Sequence, residues 1–394
     1  MSRCKNTKSK IEKIIEASKL VLNDVALPNG AIVAANTDHE YYPRTAKDYR
    51  FVWPRDAAYI CVALDYLENA NEREYERGKI PPNPSLLKRG IEGIQERYFD
   101  WLNERPEDFK KEGLLFQHYS TNGRKQGHQF QPDQMGTTLW AIWHHFQGNL
   151  SGAYKYEALI RRLSDGICSQ WKGAYFFKNT SDLWEEGKRR TSTKIENNFT
   201  YTLAACASGL EKALLMLPGN ENWGKAAGEM RRKIDEAYCK EDKYFYRCHG
   251  KIDDKNIDAS LLGLVWPFGI IPLNDIRIKN TVKKIEEKVV VNGGVRRFEM
   301  DYYDGEGTGQ EGAGAWPLLN FWMSIYWSAA GNKKKAKKYF DWVIDRMDDE
   351  FIPEQIYDDF RDGQGIKPLA WGHAMFIIAY YNFYKSTTRF VSFK

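Results

Sequence analysis

The chain has 394 residues, 42% of them hydrophobic, and carries 58 basic against 53 acidic side chains for a net charge of +5. So small an excess makes no case for nucleic acid. Six cysteines without a C-x-x-C pair indicate neither a zinc site nor a disulfide framework, and no apolar run approaches the ~18 residues of a membrane helix.

The opening stretch MSRCKNTKSKIEKIIEASK places charges where a signal peptide needs an apolar core, so the expected location is the cytoplasm. Helical periodicity then dominates. It predicts helices near 9–23, 56–69, 85–103, 133–147, 155–171, 194–216, 222–239, 257–267, 276–289, 316–330, 332–347 and 368–385. Thr193 and Glu196 have capping-box spacing for the sixth. Long β runs are few, and YFFK and YFYRC read as hairpin pieces in loops. The basic run NKKKAKKYF at 332–340 reads as a solvated helix face.

The helices alternate in character. NWGKAAGEMRRKIDEAYC and IRIKNTVKKIEEKVV are striped, whereas TTLWAIWHHF, FTYTLAACASGL and PLAWGHAMFIIAYY are apolar nearly all round. An all-round apolar helix belongs inside and a striped one outside. Six of each in strict alternation predict an all-α (α/α)6 barrel, a double toroid, with no linker-like tract to divide 1–394. Every outer-to-inner connection then emerges at the same end.

Those connections hold the unusual sequence. The first, KDYRFVWPRDAAY (47–59), sets Arg55 and Asp56 at a helix start with Tyr49 and Trp53 nearby. An N-terminal Asp is an ordinary cap, but Arg opposes the helix dipole there. Ring, fork donor and acceptor together can grip vicinal sugar hydroxyls. The second, GHQFQPDQMGT (127–137), offers His128, Gln129, Gln131, Asp133 and Gln134, side chains suited to hydroxyl recognition, although Asp133 also fits an N-cap.

The third contains SDLWEEGKRR (181–190), three carboxylates around Trp184, where Asp182 and Glu186 could raise the pKa of Glu185 by like-charge repulsion. The fifth, NGGVRRFEMDYYDGEGTGQEGAGAW (292–316), is Gly-rich and carries Arg296, Arg297, Asp301, Tyr302 and Tyr303. It lacks the strand and lysine of a phosphate loop. The sixth, FIPEQIYDDFRDGQGIKPLAW (351–371), brings Glu354, Tyr357, Asp358 and Trp371. Glu185 and Glu354 thus reach one end from different loops. Two facing carboxylates, one protonated and one ionised, are the minimum equipment for glycoside hydrolysis. Spacing alone does not decide whether Glu185 or Glu186 is the acid.

Aromatic content bears on the ligand. With 13 Trp, 23 Tyr and 20 Phe, many beside Gly, Asp or Glu, the chain suits a ligand with apolar faces and polar edges, such as a sugar.

Taken in order, FVWPRDAA, DLWEE, DASLL, GGVRRF, IPEQIYD and PLAWGHA resemble the catalytic domain of glycoside hydrolase family 15, which includes glucoamylases, glucodextranases and prokaryotic trehalases. GTGQEGAGAWPLL is most similar to the prokaryotic, glucodextranase-like branch. The resemblance implies the same (α/α)6 barrel, Glu185 as general acid and Glu354 as general base, acting with inversion at the anomeric carbon and without a cofactor. It implies that Arg55 and Asp56 hold hydroxyls of the non-reducing glucose in a subsite lined by Tyr49 and Trp53. Trp184, Glu186, Arg297 and Trp316 would shape this subsite and the next. Many prokaryotic members place a large β-sandwich domain before the barrel, whereas here the barrel pattern begins almost at once. GQEGAGAW also lacks an arginine expected of the glucodextranase-like version.

The expected activity is exo-hydrolysis of short isomalto- or malto-oligosaccharides, releasing β-glucose, with trehalose as the close competitor. The rivals are another (α/α)6 enzyme, such as an epimerase or lyase using His128 or His373, and a non-catalytic glycan-binding protein.

Overall fold

A computed structural model of the chain describes residues 2–76, 93–186, 190–301, 314–357 and 365–384. In chain order these form α1 (Ser2–Asp24), α2 (Pro54–Glu76), α3 (Ile94–Glu104), α4 (Asp133–Phe146), α5 (Glu157–Gln170), α6 (Thr200–Met216) and α7 (Glu221–Glu236). A 3₁₀ segment follows at Ala259–Leu264, then α8 (Ile276–Lys288), α9 (Pro317–Ala329), α10 (Lys333–Arg346) and α11 (Ala370–Tyr384). Shorter helical turns at Glu107–Glu112 and Leu150–Tyr156 lie in the connections, as do two-residue strands paired antiparallel.

The inner ring closes. α2 packs on α4, α4 on α6, α6 on the 3₁₀ segment, that segment on α9, α9 on α11, and α11 back on α2. Outside it, α3 lies on α2, α5 and α7 on α6, α8 on the 3₁₀ segment, α10 on α9 and α1 on α11. This is an (α/α)6 barrel. Burial follows the pattern of the sequence: α11 buries residues on all sides, whereas α7 buries Trp223, Ala226, Ala227, Met230 and Ile234, one stripe at helical spacing. Asn220, Asp275 and Asn332 cap outer helices α7, α8 and α10, each accepting backbone N–H groups that have no partner within the helix.

Two glycines set the approach of α4 to α6. A Cβ on Gly136 would lie 2.3 Å from the Ala205 carbonyl oxygen, and one on Gly209 would lie 2.7 Å from Gly136 Cα. Backbone meets backbone there, so no side chain can turn aside. Gly136→Ala is therefore expected to destabilise the barrel by about 1–3 kcal/mol through overpacking. Thermal unfolding would register this, and an unchanged melting temperature would show that the two helices separate freely.

Aromatic rings fill the axis below the mouth. Tyr59 lies 5.2 Å from Trp140, 5.3 Å from Trp371 and about 6 Å from both Trp266 and Trp322, ring to ring. Its hydroxyl meets that of Tyr201 at 3.3 Å. The toroid is plugged, so a ligand entering the mouth meets a floor.

Three expectations change. The sixth helix begins at Thr200 rather than 194, because Asn198–Phe199 pairs with Cys248–His249 as strand. Glu196 is left-handed, with φ 52°, and pairs with Lys251, so it is not the third residue of a capping box. The inner element expected at 257–267 is only a 3₁₀ segment, since Pro267 has no N–H to extend a helix. YFFK and YFYRC do lie in paired loop segments, through Trp171–Phe176 and through Tyr238–Cys239 with Tyr244–Phe245.

Candidate active site

One pocket opens at the mouth, with about 540 Å³ of space including its open entrance. Tyr49, Trp53, Arg55 and Asp56 line it from the α1–α2 connection, Trp184 and Glu185 from α5–α6, and Arg297 and Trp316 from α8–α9. Glu354 and Trp371 come from α10–α11. All are ends of outer-to-inner connections, the placement expected from the helix alternation. Ala34, Leu183 and Leu369 complete the wall without having been singled out in the sequence.

Glu185 is held at both oxygens. Trp53 Nε1 donates to Oε1 at 2.8 Å, and Gln117 Nε2 donates to Oε2 at 2.6 Å. Arg55 Nη2 lies 3.6 Å from Oε1. Burial pushes its pKa up, opposed by Arg55 and by both donors. The expected cause differs: Asp182 and Glu186 are each paired with an arginine, Arg247 and Arg297. Nothing local in the sequence marks Gln117.

Glu354 is 5% exposed. Burial raises its pKa to about 7, against the Ile366 N–H, Arg297, Lys47 and Tyr49, all of which favour the ionised form. Ile366 N donates to Oε2 at 3.2 Å, and the Tyr49 hydroxyl stands 3.4 Å from the same oxygen. A Cβ on Gly365 would fall 1.9 Å from Oε2, so glycine alone leaves room for the carboxylate.

Arg55 is the hub of the floor. Its Nη1 reaches Asp133 Oδ2 at 3.2 Å and Gln131 Oε1 at 3.4 Å, and its Nε lies 3.5 Å from Asp56. Its guanidinium sits 5.5 Å from the Trp371 ring. Gln131 and Asp133 do not line the pocket. Both are fully buried and support Arg55 from behind. Burial also raises Asp56 to about 7, with Arg55 opposing and Glu185 and Glu354 adding.

Arg297 is clamped by Asp301 at 2.6 and 2.8 Å and reaches Glu186 at 3.2 Å. Its guanidinium lies 5.1 Å from the Trp316 ring and 5.7 Å from that of Trp184. Glu186 stands outside the pocket wall as the partner of Arg297. Tyr357 packs against Gly314 and is also absent from the wall. Tyr302, Tyr303 and Asp358 lie outside the described residues.

Chemically, the pocket offers three carboxyl groups of raised pKa, Asp56, Glu185 and Glu354, with the fork donor Arg55 beside Asp56 at its base and aromatic faces around them. That arrangement can bind one pyranose ring and exchange protons on it. Histidine has no such position. His128 is exposed, and His373 is enclosed between Ser18 Oγ at 2.8 Å and the Ile352 N–H at 3.0 Å. Burial lowers His373 to about 3, which keeps it neutral. Among the described residues, no group of three metal-ligating side chains occurs and no helix is long and apolar enough to cross a membrane.

Comparison with known proteins agrees with this chemistry. Residues 15–337 match the family described as glycosyl hydrolases family 15. An uncharacterized glycosyl hydrolase of Methanocaldococcus jannaschii is 28% identical over 95% of this chain and 56% of its own. Trehalase 2 of Sulfolobus acidocaldarius is 24% identical over 92% of this chain and 62% of its own. The isomaltose glucohydrolase of Kribbella flavida is 26% identical over 70% of this chain and 71% of its own. The chain therefore spans less than two thirds of the length of the first two. Among solved structures, a glycosidase superposes with a TM-score of 0.74 at 20% identity, over 95% of this chain and 97% of its own. A glucoamylase from Saccharomycopsis fibuligera gives 0.69 at 14% identity, over 98% and 96%. At those identities the likeness is one of fold.

Proposed function

The chain belongs to glycosyl hydrolases family 15, and from that premise we propose that it is an exo-acting, inverting α-glucoside hydrolase with Glu185 as general acid and Glu354 as general base. The observation that carries this reading is the meeting of both carboxyl groups on one pocket whose far end is closed by rings. A sugar chain can present its end to such a pocket but cannot thread it. Arg55 and Asp56 at the base supply donors and an acceptor for the hydroxyls of the terminal glucose. Trp53, Trp184 and Trp316 supply faces for its C–H surfaces.

In the reaction, protonated Glu185 gives its proton to the glycosidic oxygen as the C1–O bond breaks. Ionised Glu354 takes a proton from water, and the water oxygen bonds C1 from the opposite face. The leaving sugar departs as an alcohol, and Glu354 ends protonated and Glu185 ionised. Exchange of one proton with solvent resets the pair. A base near 7 suits this task, because proton transfer is most effective when the pKa lies near the working pH.

Isomalto- or malto-oligosaccharides are one substrate class. Trehalose stands equally, since relatives in Sulfolobus acidocaldarius and Thermoplasma volcanium bear the name trehalase and one in Kribbella flavida the name isomaltose glucohydrolase. NMR of fresh digests of isomaltose, maltose and trehalose separates these. The cleaved substrate identifies the class. Inversion releases β-glucose from the non-reducing side, and equal α- and β-glucose from trehalose. Initial α-glucose alone would overturn the mechanism.

A further inference from the structure

Arg247 lies outside the pocket wall, yet it joins two of the loops that build it. It is 3% exposed and stands on the segment that pairs with the start of α6, where its carbonyl oxygen accepts the Thr200 N–H at 2.9 Å. Its Nη2 pairs with Asp182, and its Nε lies 3.0 Å from Asp258 Oδ2. Its guanidinium sits 4.0 Å from the Phe298 ring. One buried cation thus serves two buried carboxylates from different connections.

Each carboxylate continues into the candidate active site. Asp258 accepts the Trp184 indole N–H, 3.1 Å from each oxygen. Asp182 closes the turn that follows it: its side chain accepts the Glu186 N–H at 3.3 Å, and its carbonyl accepts the Glu185 N–H at 3.2 Å. Glu185 itself is left-handed, with φ 65°, a conformation that a non-glycine residue holds only when its surroundings over-determine it. Removing the shared cation would leave Asp182 and Asp258 buried without it, and the turn between them would have to rearrange.

We propose that Arg247 is a positioning residue for the hydrolytic reaction, fixing through Asp182 and Asp258 the turn that aims Glu185 and the ring of Trp184. This rests on the reading of Glu185 as the general acid. It predicts a defect specific to protonation of the leaving group, because a misplaced acid matters only where the departing oxygen needs a proton.

The test compares kcat on a disaccharide substrate and on α-glucosyl fluoride, whose fluoride departs without a proton from the enzyme. Arg247→Met should lose about 10²-fold on the disaccharide, the scale of a displacement near 1 Å, and about tenfold less than that on the fluoride. Arg247→Lys keeps the charge but not the two-sided fork, and should show the same selectivity at smaller size. A structural role alone lowers the active fraction and so costs both substrates equally; equal losses, or none, overturn the proposal. Should Arg247→Met fail to fold, Arg247→Lys decides by the same criterion. Glu185→Gln is run alongside. Equal loss on both substrates in that variant would refute the assignment of the acid, whereas a selective loss there with none at Arg247 refutes this proposal alone.

Discussion

Glu354→Gln is expected to lower kcat by about 10²–10⁴-fold on the disaccharide and on α-glucosyl fluoride alike, because with Glu354 as the proposed base both reactions need it to deprotonate the attacking water. Glu185→Gln should fall by a similar factor on the disaccharide and far less on the fluoride. The amide keeps the size of the carboxyl, and its single oxygen can still accept the Ile366 N–H at position 354, or one of the two donors, Trp53 or Gln117, at 185. Loss of activity therefore reports proton transfer rather than collapse. Azide needs no deprotonation and should restore turnover to Glu354→Gln, giving glucosyl azide of inverted configuration. If Glu354→Gln keeps a tenth of wild-type kcat, the base lies elsewhere.

The same variant should be more stable than the wild type at alkaline pH. Burial raises Glu354 from 4.5 to about 7, so between those values the folded chain binds more protons than the unfolded chain. Stability is then fully present below about 4.5 and falls as pH rises toward 7, by about 3 kcal/mol for a shift of this size. Glutamine carries no such charge and escapes the loss. The gap between Glu354→Gln and wild type should widen by about 2–3 kcal/mol between pH 5 and pH 8, roughly 3 °C in melting temperature for a chain this long. A gap that does not change with pH would show that the ionised carboxylate is well solvated in the fold. Asp56, raised to about 7 by burial, adds to the wild-type slope in the same direction. The pocket is thus held at the expense of stability by groups useful only when a substrate arrives.

Much of this site is legible in short words of sequence. PRD sits at a helix start, LWEE in a turn and PEQIYD before the last inner helix, and the barrel brings Arg55, Glu185 and Glu354 to one wall. Periodicity makes that possible, since alternating helix character implies that the connections share an end. Other parts leave no local trace. Gln117 bonds Glu185 across 68 positions, and Arg247 bonds Asp182 across 65, so no window of sequence holds both partners. Gly365 resembles any loop glycine until Glu354 is found against it. Asp182 and Glu186 read as neighbours that repel Glu185, because charge proximity in sequence says nothing of the arginines that face them from elsewhere.

The barrel, the end at which its loops gather and the carboxyl groups carried there follow from the order of residues alone, because burial of apolar surface is written at helical spacing along the chain. Which groups support and which line the pocket, where the fourth inner element shortens, and what sets each carboxyl's protonation emerge only in the folded chain. Those depend on desolvation and on ion pairs between distant segments, which exist only after the ring has closed.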